Sequence, residues 1–298
     1  MSEIRVDNIT DEEGTGSPNI IYDNAASGLT ATSVQGVIDE VAQFESLYFG
    51  ISGGNILNDL EVPETKLTIQ PGACMADVFP FQIVWENPIT FDALATGVNG
   101  LESGFTRPES GTIHIYAIAD SNGVNPVGVL GSNSPTSPAL PDGYDRKRRV
   151  ASVVTFNSEF KTIKSIGNFF QYDNGARQVD TTGTQQDITF TLGEIPVGVP
   201  IIAQVNHGAR AATGSSSRTT GVSVLFYAGN EFSRISVASL ANPDIVGAEY
   251  ESNINFVQMN ENDREVRLLV NQMEGQGFSF RCSCRVAGWV DKRARLTS

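Results

Sequence analysis

Two histidines, His114 and His207, three cysteines, Cys74, Cys282 and Cys284, and a scatter of loop carboxylates carry most of the chemistry this chain could do. Zinc sites built on histidine need ligands that two isolated histidines cannot supply. His114 sits in the alternating stretch Thr112–Ala119 and reads as a structural or interface side chain. His207 precedes Gly208 at an expected strand end. Cys282 and Cys284 would share one face of a strand, and a disulfide between residues i and i+2 of a strand has poor geometry. The thiols are therefore expected to be reduced and structural, consistent with synthesis in a cytoplasm. Paired carboxylates are the remaining route to catalysis, because glycan hydrolysis needs two of them about 5–10 Å apart. Asp244, Glu249, Glu251, Glu261 and Asp263 fall in expected loops, and nothing in their order brings two together. Asn260–Asp263 offers oxygens to Ca²⁺ but lacks the spacing of a calcium loop. The sequence contains no G-x-S-x-G elbow, P-loop or HExxH. The expectation is a protein that is not an enzyme and takes no metal or cofactor.

Aromatic side chains at loop edges are the other candidates, since sugar faces stack on aromatic rings. Tyr227, Phe232 and Tyr250 flank expected loops and are the possible host-surface contacts, each with an equally good reading as core. The basic run Arg146–Arg149 enters an expected strand, Val150–Phe156. Its side chains would alternate between faces. In a chain of net charge −14, Arg146, Arg148 and Arg149 are expected to pair with carboxylates across strands or between subunits. The same acidity, with a pI near 4.5, argues against a protein that coats nucleic acid. No apolar run is long enough to span a membrane, and the polar start MSEIRVDNIT lacks the core of a signal peptide.

The elements that must position these residues are mostly strands. Twenty-nine glycines, 13 prolines and abundant Thr, Ser, Val and Asn predict many turns and short strands, hence a mainly β chain. Four parts are expected. Residues 1–28 form an extended arm with Ile4, Val6, Ile9, Ile20 and Tyr22 as its apolar docking points. Residues 29–54 hold a short helix capped by Thr32 or Ser33, then a flexible glycine joint. Residues 55–176 form a β-rich middle domain, with a bridging strand Ile166–Tyr172 and a turn at 173–175. Residues 177–298 form a β-sandwich or jelly roll of about seven strands.

In the helix, Val34, Val37, Val41, Phe44 and Tyr48 recur at alternating three- and four-residue spacing, with Ile38 beside them. This is an a/d seam of about two heptads. It can pack on its own domain, or pair with copies of itself. β-branched residues at these positions lean such a bundle toward three strands.

Residues 4–16 (IRVDNITDEEGTG) followed by residues 22–41 (YDNAASGLTATSVQGVIDEV) closely resemble the attachment segments of tailed-bacteriophage fibres and related virion proteins. Residues 140–155 (LPDGYDRKRRVASVVT) are a second, independent point of resemblance. Residues 286–293 (VAGWVDKR) look like the terminal strand of small phage virion β-domains. The resemblance implies a homotrimeric tail fibre or spike, found in the virion after assembly in the host cytoplasm. Its arm would dock on other virion proteins of the tail, baseplate or capsid, and its C-terminal β-domain would face host surface glycan or protein. Acidity and hydropathy, read separately, predict no nucleic-acid partner and no membrane insertion. The alternative is a capsid decoration, head-fibre or baseplate adaptor protein with a purely structural role.

Overall fold

The computed structural model describes residues 51–78, 81–182, 186–213, 220–228, 231–239, 248–259, 264–272 and 278–291. The expected arm and helix lie outside the described residues. With them go Ile4, Val6, Ile9, Ile20 and Tyr22 and the seam residues Val34, Val37, Ile38, Val41, Phe44 and Tyr48.

The described chain is β throughout, with no helix among the described residues. It begins with β1 (Ile51–Gly53), β2 (Ile56–Asn58), β3 (Lys66–Ile69), β4 (Gly72–Met75), β5 (Gln82–Trp85), β6 (Ile89–Asp92) and β7 (Gly100–Leu101). Next come β8 (Gly111–Ala119), β9 (Gly128–Ser132), β10 (Arg146–Phe156), β11 (Glu159–Phe160) and β12 (Ile163–Ile166). The strands then lengthen: β13 (Phe169–Thr182), β14 (Gln186–Thr191), β15 (Ile201–Thr213) and β16 (Thr220–Ala228). β17 (Glu231–Ser239), β18 (Ala248–Met259), β19 (Glu265–Gln272) and β20 (Phe278–Asp291) complete the chain.

From β13 onward the pairing is that of one long hairpin folded on itself. β13 pairs with β20, β14 with β19, β15 with β18 and β16 with β17, all antiparallel. Two further pairings, β15 with β20 and β16 with β19, roll the hairpin into two sheets. Their strand orders, β18-β15-β20-β13 and β14-β19-β16-β17, define a jelly roll. Alternation drives it: in β15 the residues Ile201, Ala203 and Val205 are buried while Ile202, Gln204 and Asn206 are half-buried. The buried set joins Val257, Met259, Val266, Val286 and Trp289 in the core, with Ile188 and Phe190 of β14 packed against it.

The first of these sheets does not stop at β13. It continues through β12, β2, β3 and β6 to eight strands. The expected division at 176/177 falls inside β13, and strands from both sides of it share this sheet. The sheet β11-β10-β8-β9-β7 adds Ile113, Ile115 and Val153 to the same buried cluster as Ile56, Leu67 and Phe91. On its other face Tyr116, Ile118 and Leu130 form a smaller cluster, covered by Leu140 and Tyr144. β8 is therefore buried on both faces, which accounts for its nearly continuous apolar run GTIHIYAIA.

Three expectations change. Residues 166–172 are not one strand but a hairpin, with Gly167 turning at φ 58° between β12 and β13. The Asp-Asn-Gly at 173–175 does not turn the chain. It lies within β13, where the register with β20 jumps from Gln171↔Gly288 to Ala176↔Val286. Turn-forming residues here make a bulge, because both flanking segments are held by the same partner strand. The glycines after the expected helix are also not free: β1 pairs with β4. Gly53 has φ 67°, and a Cβ there would come within 2.4 Å of the Pro71 carbonyl oxygen. Gly54 Nα–H donates to that same oxygen at 2.9 Å.

Candidate functional site

A connected set of buried polar side chains is built on β10. A register irregularity between Arg149 and Ala151 interrupts its pairing with β8. In a regular strand residues three apart point to opposite faces. The extra residue restores them to one side, and Arg149 Nη1 donates to Ser152 Oγ at 2.6 Å. The same nitrogen donates to Asp291 Oδ2 at 2.8 Å and Oδ1 at 3.0 Å. Ser152 Oγ stands 2.9 Å from Nδ1 of His114, its register partner on β8. Asp291, Ser152 and His114 are all buried, and Arg149 is nearly so.

The chain Asp291–Arg149–Ser152–His114 thus joins β20 of the eight-stranded sheet to β10 and β8 of the five-stranded one. Burial, and secondarily the Arg149 charge, lowers the His114 pKa to about 4. At neutral pH the imidazole is therefore uncharged and shares a hydrogen bond with the Ser152 hydroxyl, whose oxygen accepts from Arg149. A serine beside a histidine is the geometry of nucleophilic catalysis. Here, however, the hydroxyl is wholly buried and the carboxylate holds the arginine rather than the imidazole. The arrangement fastens two sheets together.

The other basic residues of the run are held by their own chain as well. Arg148 is buried and pairs with Asp77 at 3.5 Å. Arg146 pairs with Asp145 at 3.1 Å and lies over the Phe81 ring at 5.6 Å. Lys147 donates to the Thr136 carbonyl at 2.7 Å and faces the Tyr116 ring. Each of Arg146, Arg148 and Arg149 faces a carboxylate within this one chain.

Two carboxylates that the sequence did not single out organise loops. Buried Glu102 accepts from Ser132 Oγ and from the Ala139 amide, both at 2.6 Å, and from the Asn133 amide at 3.3 Å. It anchors the Pro/Ser loop that covers β8. Asp120 accepts the amides of Asn122, Val124 and Asn125. Those backbone bonds, the Asn122 amide first, hold its carboxyl below the usual range. Neither acid carries a sequence signal, since a lone acid among turn residues looks solvated.

The remaining candidates are dispersed. Tyr227 of β16 and Phe232 of β17 are direct cross-strand partners. Tyr250 lies in the other sheet, on β18 opposite Arg210. Glu249 and Glu251 are on β18, opposite Ala211 and Ala209, while Asp244, Glu261 and Asp263 lie outside the described residues. His207 sits in β15 between Asn253 and Cys284. Cys74 and Cys284 are buried, and burial pushes each thiol up to about 12, so neither is a reactive thiolate. Among the described residues no three His, Cys, Asp or Glu gather as metal ligands.

No family model matches the sequence, and no curated protein matches it. Among solved structures, a chain from work on promiscuous carbohydrate-binding modules of the β-sandwich superfamily is 8% identical. That match covers 81% of this chain and 98% of the other, with a TM-score of 0.20. A chain of infectious bursal disease virus, Gx strain, is 12% identical over 82% of this chain and 68% of its own, with a TM-score of 0.22. A chain of the T13 particle of the same virus is 13% identical over 83% of this chain and 68% of its own, at 0.19. Superpositions this loose do not establish a common fold, and nothing those proteins bind or build carries over. What the molecule itself establishes is a jelly roll locked to a second β body through Arg149 and Asp291.

Proposed function

We propose that this chain is a bacteriophage virion structural protein without catalytic activity: a homotrimeric tail fibre or spike. Residues 1–28 attach it to the particle, the helix seam registers three copies, and the C-terminal jelly roll meets the host surface. The observation that carries the reading is the topology of β13–β20, because jelly rolls recur in viral capsid and lectin domains. Fold alone does not fix function, so the phrases resembling virion proteins supply the setting. Two of them meet in space: Arg149 from residues 140–155 and Asp291 from residues 286–293 form the buried pair. Arg149 of the first phrase and Asp291 of the second thus form part of the seam between the β bodies.

A second reading, a capsid decoration, head-fibre or baseplate adaptor protein, is favoured by the shared eight-stranded sheet. A β body fused edge to edge with the jelly roll makes a short, stiff block suited to bracing neighbours. Competition separates the two readings. Purified protein that binds host cells and blocks infection supports the fibre. Protein that binds only particles lacking it supports the adaptor, and release of reducing sugar from host glycan contradicts both.

A further inference from the structure

The outward face of the sheet β18-β15-β20-β13 has the composition of an interface. Two cross-strand rows cross it. One runs Phe256, Gln204, Gly288, Gln171, and the next runs Gln258, Ile202, Val290, Phe169, with Ile166 of β12 continuing it. All nine are uncharged in a chain of net charge −14. Phe256 is 57% exposed and Ile166 75% exposed, while Ile202, Val290 and Phe169 are half-buried. Among the described residues the charges beside these rows are Lys164, Arg285 and Asp173, all exposed. An uncharged apolar and amide centre with a charged rim is the anatomy of a protein–protein contact.

We propose that this face is where copies of the chain meet, turned toward the common axis of the assembly. The proposal rests on the homotrimer reading above and moves part of the contact from the helix to the jelly roll. Charge selects the partner. Chains of net charge −14 repel one another, so they approach with least cost through a surface whose centre carries no carboxylate. The rim holds both signs, Lys164 and Arg285 against Asp173, so identical faces around an axis can pair opposite charges.

The test is sedimentation of the full-length chain over a range of concentrations, for wild type and for Phe256→Glu and Ile166→Glu separately. Both side chains point to solvent in the single chain, so the fold is retained, and circular dichroism and melting temperature verify it. Wild type sedimenting as a trimer, with association weakened about tenfold or more in each variant, supports the proposal. A wild-type trimer that both variants leave intact overturns the proposal and leaves the trimer reading standing. A monomeric wild type overturns both. Loss of host-glycan binding in Phe256→Glu with an unchanged trimer assigns the face to sugar instead and overturns the proposal too.

Discussion

At the scale of single residues, Arg149 and Asp291 show what burial does to charge. Asp291 is fully buried, with Arg149 as its ionic partner. Removing one member strands the other, which costs about 3–5 kcal/mol in buried pairs. Asp291→Asn and Arg149→Met should each destabilise by that order in urea titrations. Arg149→Met combined with Asp291→Leu should recover much of the loss, because it leaves no uncompensated charge. His114 gives a pH dependence whose sign is fixed. Its pKa falls from 6.5 in the unfolded chain to about 4 in the folded one, chiefly by burial. As pH falls below about 6.5 the unfolded chain takes up the proton first, so this contribution to stability is lost between there and about pH 4. The slope is at most about 1.4 kcal/mol per pH unit. Substituting His114→Gln should flatten that part of the stability profile, and an unaltered slope would show that other groups set it.

At the scale of elements, alternation was readable where a strand has one wet face. Lys66–Ile69, Gln82–Trp85 and Glu265–Gln272 fall close to where period-two patterning puts them. The pattern misled where a bulge or a tight turn breaks parity. The 173–175 turn became a bulge in β13, and the single strand over 166–172 became a hairpin. The Arg149–Ser152 contact was illegible for the same reason, since only the irregularity at Val150 places the two on one side. That the three arginines face carboxylates follows from charge in an acidic chain. Their partners, above all Asp291, lie too far along the sequence for spacing to name. Close packing supplies a test at this scale. A Cβ on Gly288 would lie 2.2 Å from the Phe170 carbonyl oxygen, in the strand pair where Trp289 stacks on Phe170 at 5.2 Å and 4°. Gly288→Ala should lower the melting temperature and shift tryptophan fluorescence, whereas Gly104→Ala, whose Cβ meets nothing, should lower the melting temperature through its φ of 81° but leave the fluorescence alone. Glu102→Ala should speed proteolysis within residues 133–139 far more than elsewhere, because two amides and a hydroxyl lose their acceptor.

At the scale of the whole molecule, the jelly roll and the β body beside it share one sheet, so the described chain works as a stiff unit rather than beads on a string. The composition pointed to strands, but only the nested pairing of β13 with β20 through β16 with β17 identifies the roll. Residues 29–48 carry the expectation that three copies are registered by a short seam, and the pair Val37→Asp with Val41→Asp should shift the sedimenting species toward monomer. A trimer that survives would place the assembly in the β bodies. The central claim, that this is a virion structural protein, is tested most directly by electron microscopy of purified phage particles labelled with antibody against the jelly roll. The account predicts label at a fixed site on the particle surface, on the tail for a fibre and on the head or baseplate for an adaptor. Particles that carry no label, from infected cells that contain the protein, would contradict it.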